Sequence, residues 1–260
     1  MENKKQKTIK LIVGLVLAIA GVVLAVFTRS NALMEEATNG QKMPFALSLI
    51  VVLIGVITLV VGLMPAPRKT NVRTLTMAAL FAALCYIGFS FLRIDIPVGT
   101  EKTAFHLGNV FCVMAALLIG GLWGGLAGAV GMTIADLTTA YVTSAPKTFL
   151  LKLCIGLITG LVAHKVFKIS QNKENRKLPL PVATVISCVA GMAFNIVADP
   201  VVGYFYKMYV LGVPQDAAKI WAKIGAVTTS VNALVAVVVA SVGYLALRPI
   251  LKKSNLLPEL

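Results

Sequence analysis

The sequence contains little charge. Charged residues make up 13% of its 260 residues, against roughly 25% in ordinary soluble domains. Apolar residues make up 58%, and several apolar runs approach the ~20 residues that a helix needs to cross the hydrocarbon core of a bilayer. These proportions exclude an ordinary soluble protein and predict a polytopic α-helical membrane protein. About eight spans fit into this length, and no separate soluble domain fits beside them.

Cysteine is also scarce, and the motifs of several enzyme classes are missing. The four cysteines fall inside predicted spans without the CxxC or Cys/His spacing of a zinc site. No GxxxxGK[ST] loop occurs, so an ATP-driven process would need an ATPase partner. HExxH, GxSxG and DDxxD are absent, and the two histidines, His106 and His164, are predicted on opposite sides of the membrane. We therefore expect no enzyme, no metal and no cofactor.

Hydropathy and turn residues predict eight helical spans, at about 10–27, 45–64, 74–92, 106–120, 122–141, 147–166, 181–205 and 224–247. The first two have almost no polar residues, and the segment PAPRKTNVRT at 65–74 separates them from six spans that carry buried polar groups. We therefore predict two domains. Residues 1–69 form an accessory transmembrane hairpin that anchors or shields, and residues 70–260 form a six-span membrane domain.

The basic residues predict the orientation of the chain. With a cytoplasmic N-terminus, 15 of the 24 lysines and arginines lie on the cytoplasmic side, eight lie outside, and Lys152 lies within a span. The positive-inside rule then places both termini in the cytoplasm. The net charge of +14 needs no nucleic acid to explain it, because most of it would lie beside the anionic inner leaflet of the bilayer.

Small residues form two stripes at helical spacing. In the third span Ala78 and Ala82 lie one turn apart, as do Ala79 and Ala83. In GGLWGGLAGAVG at 120–131, glycines 120, 124 and 128 share one helix face, and glycines 121 and 125 lie beside it. Small residues four apart let another backbone approach closely within a membrane. We predict that the glycine face packs against a neighbouring helix of the same chain.

Polar residues at membrane depth indicate a small-molecule site, because each costs roughly 2.5–3.5 kcal/mol or more to insert. His106 and Asn109 lie three apart at the outer start of the fourth span, where they either contact a ligand or serve as a helix cap and an interhelical tie. Asp136 is predicted to neutralise a lysine of the next span, with Lys152 as its structural partner. Lys147, near the rim, is open to a ligand role. His164 is predicted to be a solvated residue at the cytoplasmic boundary.

The seventh and eighth spans add further candidates. Asn195 and Asp199 share one helix face, and the following Pro200 would free a backbone carbonyl toward a cavity. Tyr204 belongs to a tyrosine group at the outer interface, which is either an aromatic belt or a stacking surface for a ligand. Asn232, about two turns into the last span, is a candidate for the same cavity. The predicted binding residues are therefore His106, Asn109, Lys147, Asn195, Asp199, Tyr204 and Asn232, covered by a 93–105 lid loop.

Four features occur in order along residues 70–250. An arginine precedes an alanine-patterned helix, an outer loop ends in HLGN at 106–109, a glycine-rich pair of spans carries ADL at 135–137, and SAPKTFLLK lies at 144–152. In this order they resemble the substrate-binding S component of an energy-coupling factor (ECF) vitamin transporter. The similarity is closest to the riboflavin-type group, and it leaves the first two spans outside.

The resemblance implies an all-α integral membrane fold, with a six-helix S-component bundle preceded here by an extra two-helix hairpin. It implies capture of a vitamin at the outer face, with riboflavin the best single choice and thiamin, pyridoxine, folate or pantothenate left open. It also implies docking onto a membrane coupling subunit driven by two cytoplasmic ATPases in the cell membrane. Ala78, Ala79, Ala82 and Ala83 match the position of the docking alanines.

Two other classes of function stand as alternatives. A polytopic membrane enzyme acting on a lipid or isoprenoid would need a nucleophile and base, or an acidic metal cluster, at one depth. A non-transport assembly protein would not need the buried polar residues Asp136, Lys152 and Asn195. Transport is the favoured interpretation.

Overall fold

The computed structural model describes residues 4–32, 71–98, 101–171 and 177–258, together with residues 51, 54, 55, 58, 62 and 174. Most of the predicted second span and residues 99 and 100 therefore lie outside the described residues. The first predicted span is confirmed as helix α1, Lys4–Ala32.

The six spans predicted after residue 70 are all helices. They are α2 (Val72–Ser90), α3 (Gly108–Ile119), α4 (Gly121–Leu137), α5 (Ala145–Gly160), α6 (Leu180–Tyr209) and α7 (Gln215–Lys253). A 3-10 turn, Val142–Ser144, leads into α5, and a π-helical segment, Leu161–Val166, continues it. By length and composition, Val72–Ser90, Val142–Val166, Leu180–Tyr209 and Gln215–Lys253 can each cross a membrane. The fold is an all-α integral membrane bundle.

One segment predicted as a loop is instead a β-hairpin. Strands β1 (Arg93–Val98) and β2 (Glu101–His106) pair antiparallel, with Arg93 opposite His106. Strand pairing satisfies backbone N–H and C=O groups that would otherwise be costly near the apolar part of the bilayer. Pro97 and Gly99 obscured this strand pattern in the sequence.

The glycine face of α4 packs against a neighbouring helix, as predicted, and the glycines beside it pack against a second helix. On one face Gly124 contacts the backbone of Ala116 in α3, and Gly128 lies against Cys112. On the other face α4 meets α5 through glycine on both sides: a Cβ on Gly156 would collide with the backbone of Gly125, and a Cβ on residue 160 would collide with Gly121. Without side chains in the interface, the two helices approach to backbone contact.

Helices α6 and α7 pack onto this core through single small residues. Gly191 of α6 makes room for Thr159 of α5, and a Cβ on Gly243 of α7 would lie 2.9 Å from the Met114 sulfur. The Ser241 hydroxyl of α7 lies 3.4 Å from the Cys188 sulfur of α6. All four cysteines, which the sequence placed inside spans, are buried free thiols.

The chain divides into two compact units, which are residues 1–66 with 201–222 and residues 67–200 with 223–260. In the first unit, Gly55 lies against the backbone of Ala18, and Gly62 lies against Lys10 and Leu11. From the first contact to the second, the chain advances from residue 55 to residue 62, whereas the contacted position in α1 goes back from Ala18 to Leu11. The stretch from 55 to 62 therefore runs antiparallel to α1. The predicted division of the chain at residue 69 stays a prediction.

Candidate functional site

A polar cavity of about 120 Å³ lies in the second unit. Its wall combines ionisable and hydroxyl side chains with two aromatic rings. These side chains come from α2, β2, the turn before α5, and helices α4 to α7. The lining residues are Phe89, Thr103, Ala104, His106, Asp136, Tyr141, Ser144, Lys147, Thr148, Leu151, Lys152, Asp199, Gly225, Thr228, Thr229 and Asn232. Four predicted binding residues are among them: His106, Lys147, Asp199 and Asn232.

Lys147 and Asp199 form an ion pair in the cavity wall. The Lys147 Nζ atom lies 2.8 Å from Asp199 Oδ1, and the Thr229 hydroxyl donates to Asp199 Oδ2 at 2.8 Å. Each carboxylate oxygen therefore has its own donor, from α5 on one side and α7 on the other. The contact ties three helices together and neutralises both charges, which is what a charged pair in an apolar environment requires.

Asn232 binds the backbone of strand β2 with both ends of its amide. Its Oδ1 accepts from the His106 backbone N–H at 3.0 Å, and its Nδ2 donates to the Ala104 carbonyl at 3.0 Å. These two bonds continue the hydrogen-bonding pattern of a strand edge. The side chain thereby attaches the hairpin to helix α7.

His106 is held at the start of α3. The Gly108 N–H donates to His106 Nδ1 at 3.2 Å, and the Phe89 ring packs on the imidazole with centroids 4.6 Å apart. Because Nδ1 accepts this hydrogen bond, a neutral imidazole carries its proton on Nε2.

A second contact attaches the hairpin to the turn between α4 and α5. The Tyr141 hydroxyl donates to Asp95 Oδ1 at 3.2 Å, and Arg93 pairs with the same carboxylate, Nε to Oδ1, at 3.2 Å. The Arg93 guanidinium also lies over the Tyr141 ring, 5.5 Å from its centroid. The hairpin is thus attached to α7 through Asn232 and to the α4–α5 turn through Tyr141.

Asp136 and Lys152 line the cavity without forming the ion pair that the sequence suggested. Asp199 pairs with Lys147, whereas among the described residues Lys152 has no ion-pair partner. The Thr148 hydroxyl faces the Asp136 carboxyl group, one helical turn before Lys152. The predicted structural pairing was therefore wrong, because the depth of each residue in its helix brings Asp199 to the first lysine of α5 and leaves the second unpaired.

Three predicted binding residues do not lie in the cavity wall. Asn109 and Asn195 are buried within the bundle, and the Oδ1 atom of each has no hydrogen-bond partner among the described residues. Tyr204 belongs to the first unit, where its ring packs edge-on against Phe205 with centroids 4.9 Å apart. A ligand role for these three residues stays a prediction.

The prediction for His164 was wrong. Its Nε2 atom lies 3.0 Å from the Ala116 carbonyl of α3, and its Nδ1 lies 2.5 Å from the Ser170 hydroxyl. The residue is half-buried in the π-helical segment rather than solvated. The wider turn of a π-helix changes the direction of the side chains after Gly160, which hydropathy does not reveal.

Sequence reasoning missed the threonines and aromatic residues of the wall, including Thr148, Thr229, Phe89 and Tyr141. Single threonines are common in membrane helices, so they give no local signal. The only indication in the sequence would have been that these residues lie at the same depth in the membrane as the charged residues of the site.

A comparison with protein-family models gives a match to the ECF-type riboflavin transporter, S component, over residues 69–249. The chain belongs to this family. No curated protein and no solved structure matches the chain. The family is one of transporter components and not of enzymes. The cavity of this S component lies wholly within the matched segment, because its lining runs from Phe89 to Asn232.

The four predicted docking alanines of the S component lie on different faces of α2. Ala78 is buried in the core and Ala82 is half-buried, with its carbonyl against Gly131 of α4. Ala79 and Ala83 are exposed, one turn apart. Only this second pair presents its side chains at the surface of the bundle.

Asn232→Leu is expected to loosen the hairpin without unfolding the protein. The substitution leaves the His106 N–H and the Ala104 carbonyl unpaired, at a cost of roughly 1–3 kcal/mol to the hairpin–helix contact. Hydrogen exchange followed by mass spectrometry should show faster exchange at residues 101–106.

Ser230→Ala is the matched control, because this exposed hydroxyl bonds only to Ala226 of its own helix. Unchanged exchange at 101–106 in Asn232→Leu would show that the contact of Asp95 with Tyr141 holds the hairpin by itself.

Proposed function

We propose that this S component captures riboflavin or a closely related vitamin in the cavity of the second unit, as the substrate-binding subunit of an ATP-driven importer. The observation that carries the proposal is the cavity lined by polar side chains within the family-matched segment. Polar side chains that are costly at membrane depth converge there, which is typical of a substrate site. Phe89 and Tyr141 offer ring surfaces to a planar ligand.

ATP-driven transport requires partners, because this chain carries no phosphate-binding loop for ATP. The proposed partners are a transmembrane coupling subunit and two cytoplasmic ATPases. The exposed alanines Ala79 and Ala83 on α2 are the proposed docking surface, since small side chains allow close helix contact in a bilayer. The distribution of basic residues supports a cell-membrane location with both termini in the cytoplasm.

The cavity constrains how the vitamin enters. A volume of about 120 Å³ is below the roughly 300 Å³ at which pockets for drug-sized ligands begin. We propose that part of the wall moves outward to admit a vitamin. The β-hairpin is the proposed moving part, because two side-chain contacts, Asn232 with β2 and Tyr141 with Asp95, attach it.

The purified full chain is expected to carry flavin. Protein extracted in mild detergent should show the visible absorbance of a bound flavin, and mass spectrometry of the denatured sample should identify riboflavin. Protein stripped of ligand should bind added riboflavin and quench its fluorescence. A different co-purifying vitamin would overturn riboflavin as the substrate and leave capture intact. Failure to bind any vitamin would overturn the proposal.

A further inference from the structure

The cavity contains two charged groups whose hydrogen-bonding capacity is unused. Lys147 and Asp199 satisfy each other, and Thr229 completes the carboxylate. The Asp136 side chain is 1% exposed, and within the described chain its Oδ2 atom has no hydrogen-bond partner. Lys152 is 7% exposed, and its ammonium has no hydrogen-bond or ion-pair partner among the described residues.

This arrangement is costly to the ligand-free protein. A buried ammonium and a buried carboxylate lose their hydration, and only a partner compensates for that loss. Direct pairing is the obvious solution, yet Asp136 faces Thr148, which precedes Lys152 by four residues. Four residues along α5 correspond to a rise of about 6 Å, so Asp136 and Lys152 reach the cavity at different depths.

On the basis of the proposed function, we propose that the ligand bridges Lys152 and Asp136. The Lys152 ammonium donates to an acceptor oxygen or nitrogen of the ligand, and Asp136 Oδ2 accepts from a ligand N–H or O–H. Both groups line the cavity from adjacent helices, α5 and α4. The Lys147–Asp199 pair then positions the helices and does not contact the ligand through its charges.

The bridge identifies the chemical class of the ligand. One edge of the molecule must carry a hydrogen-bond acceptor next to a donor, and the molecule must be neutral or zwitterionic. The imide edge of a flavin, with N3–H between two carbonyl groups, has this pattern. A purely anionic vitamin would satisfy Lys152 alone, and a purely cationic one would satisfy Asp136 alone.

The test uses Lys152→Met and Asp136→Leu in the detergent-solubilised full chain, with riboflavin as the probe. Each substitution removes the polar group and keeps an apolar side chain of comparable size. The affinity for riboflavin should fall about 10- to 100-fold in each variant, as for loss of a hydrogen bond to a charged group. The controls are Lys165→Met and Asp216→Leu, which change exposed residues outside the cavity and should leave the affinity unchanged.

Thermal stability without ligand separates a binding role from a structural one. Lys152→Met removes an unpaired buried charge, so its unfolding temperature should rise while riboflavin binding weakens. A lower unfolding temperature with unchanged affinity would show that Lys152 supports the fold, and would overturn the bridge.

The donor half of the bridge is tested with 3-methylriboflavin, which lacks the N3–H. This analogue should bind more weakly than riboflavin to the unsubstituted protein, and equally with riboflavin to Asp136→Leu. Equal affinities in the unsubstituted protein would overturn the contact with Asp136.

Thiamin, pantothenate and pyridoxine serve as probes that distinguish the bridge from the proposed function. If the affinity for riboflavin is unchanged in both Lys152→Met and Asp136→Leu, the bridge is overturned and the capture function is not. Tight binding of cationic thiamin or anionic pantothenate would also overturn it. If the unsubstituted protein binds none of the four vitamins, the capture function fails, and the bridge fails with it.

Discussion

Gly156→Ala is expected to prevent recovery of folded protein. The added Cβ would collide with the backbone of Gly125. Because the backbone fixes the position of a Cβ, no side-chain rotation can relieve this contact. Overpacking a core costs roughly 1–3 kcal/mol when side chains can adjust, and here α4 and α5 must separate instead. We expect a cost above that range, measured as loss of the monodisperse peak in size-exclusion chromatography and of the thermal unfolding transition.

Gly225→Ala is the matched control for this prediction. Gly225 also lies within a membrane helix, but apart from its own helix backbone no atom of the described residues lies within 4 Å of the position its Cβ would take. Alanine has a higher helix propensity than glycine, so this variant should unfold at the same or a higher temperature. Equal stability of Gly156→Ala and Gly225→Ala would show that α4 and α5 are not in backbone contact.

Replacing Ala79 and Ala83 together by leucine is expected to abolish vitamin uptake while leaving riboflavin binding by the isolated chain unchanged. Both alanines are exposed on α2, so larger side chains do not disturb the core or the cavity. They would block close approach of a partner helix. Uptake is measured in cells that contain the coupling subunit and both ATPases, and binding is measured on the purified chain.

Two further variants of α2 define the face. Leu80→Phe adds bulk beside the pair, at an exposed position that already carries a large side chain, and should reduce uptake less than the double variant. Ala78→Leu adds bulk inside the core and should destabilise the chain by about 1–3 kcal/mol, so that binding and uptake fall together. Normal uptake by the Ala79 and Ala83 double variant would refute docking through this pair.

The helices and their class could be predicted because their signals are local. Low charge and long apolar runs determine a membrane fold, since no other environment accommodates them. The spacing of glycines along α4 likewise predicted close packing against a neighbouring helix; the structure shows this packing at Ala116 and a second close contact at Gly156. The order of motifs along residues 70–250 determined the family, since the matching segment is 69–249.

The β-hairpin was missed because its signal is short and interrupted. Ile94 and Ile96 alternate with polar Asp95, but Pro97 and Gly99 read as loop residues. Only the partner groups of the rest of the chain, Asn232 and Tyr141, show what holds the strands in place.

The sequence by itself indicated that polar residues at membrane depth, Lys147 and Asp199 among them, would share a cavity, because each is costly in an apolar environment. Only the tertiary structure decided the partners. Lys147 and Lys152 are five residues apart on one helix, which separates them by about 7.5 Å in depth and by more than a quarter turn in direction. Small differences in the depth and rotation of the neighbouring helices therefore select one lysine for Asp199 and leave the other facing the cavity. Such long-range geometry is not encoded in the local pattern of residues.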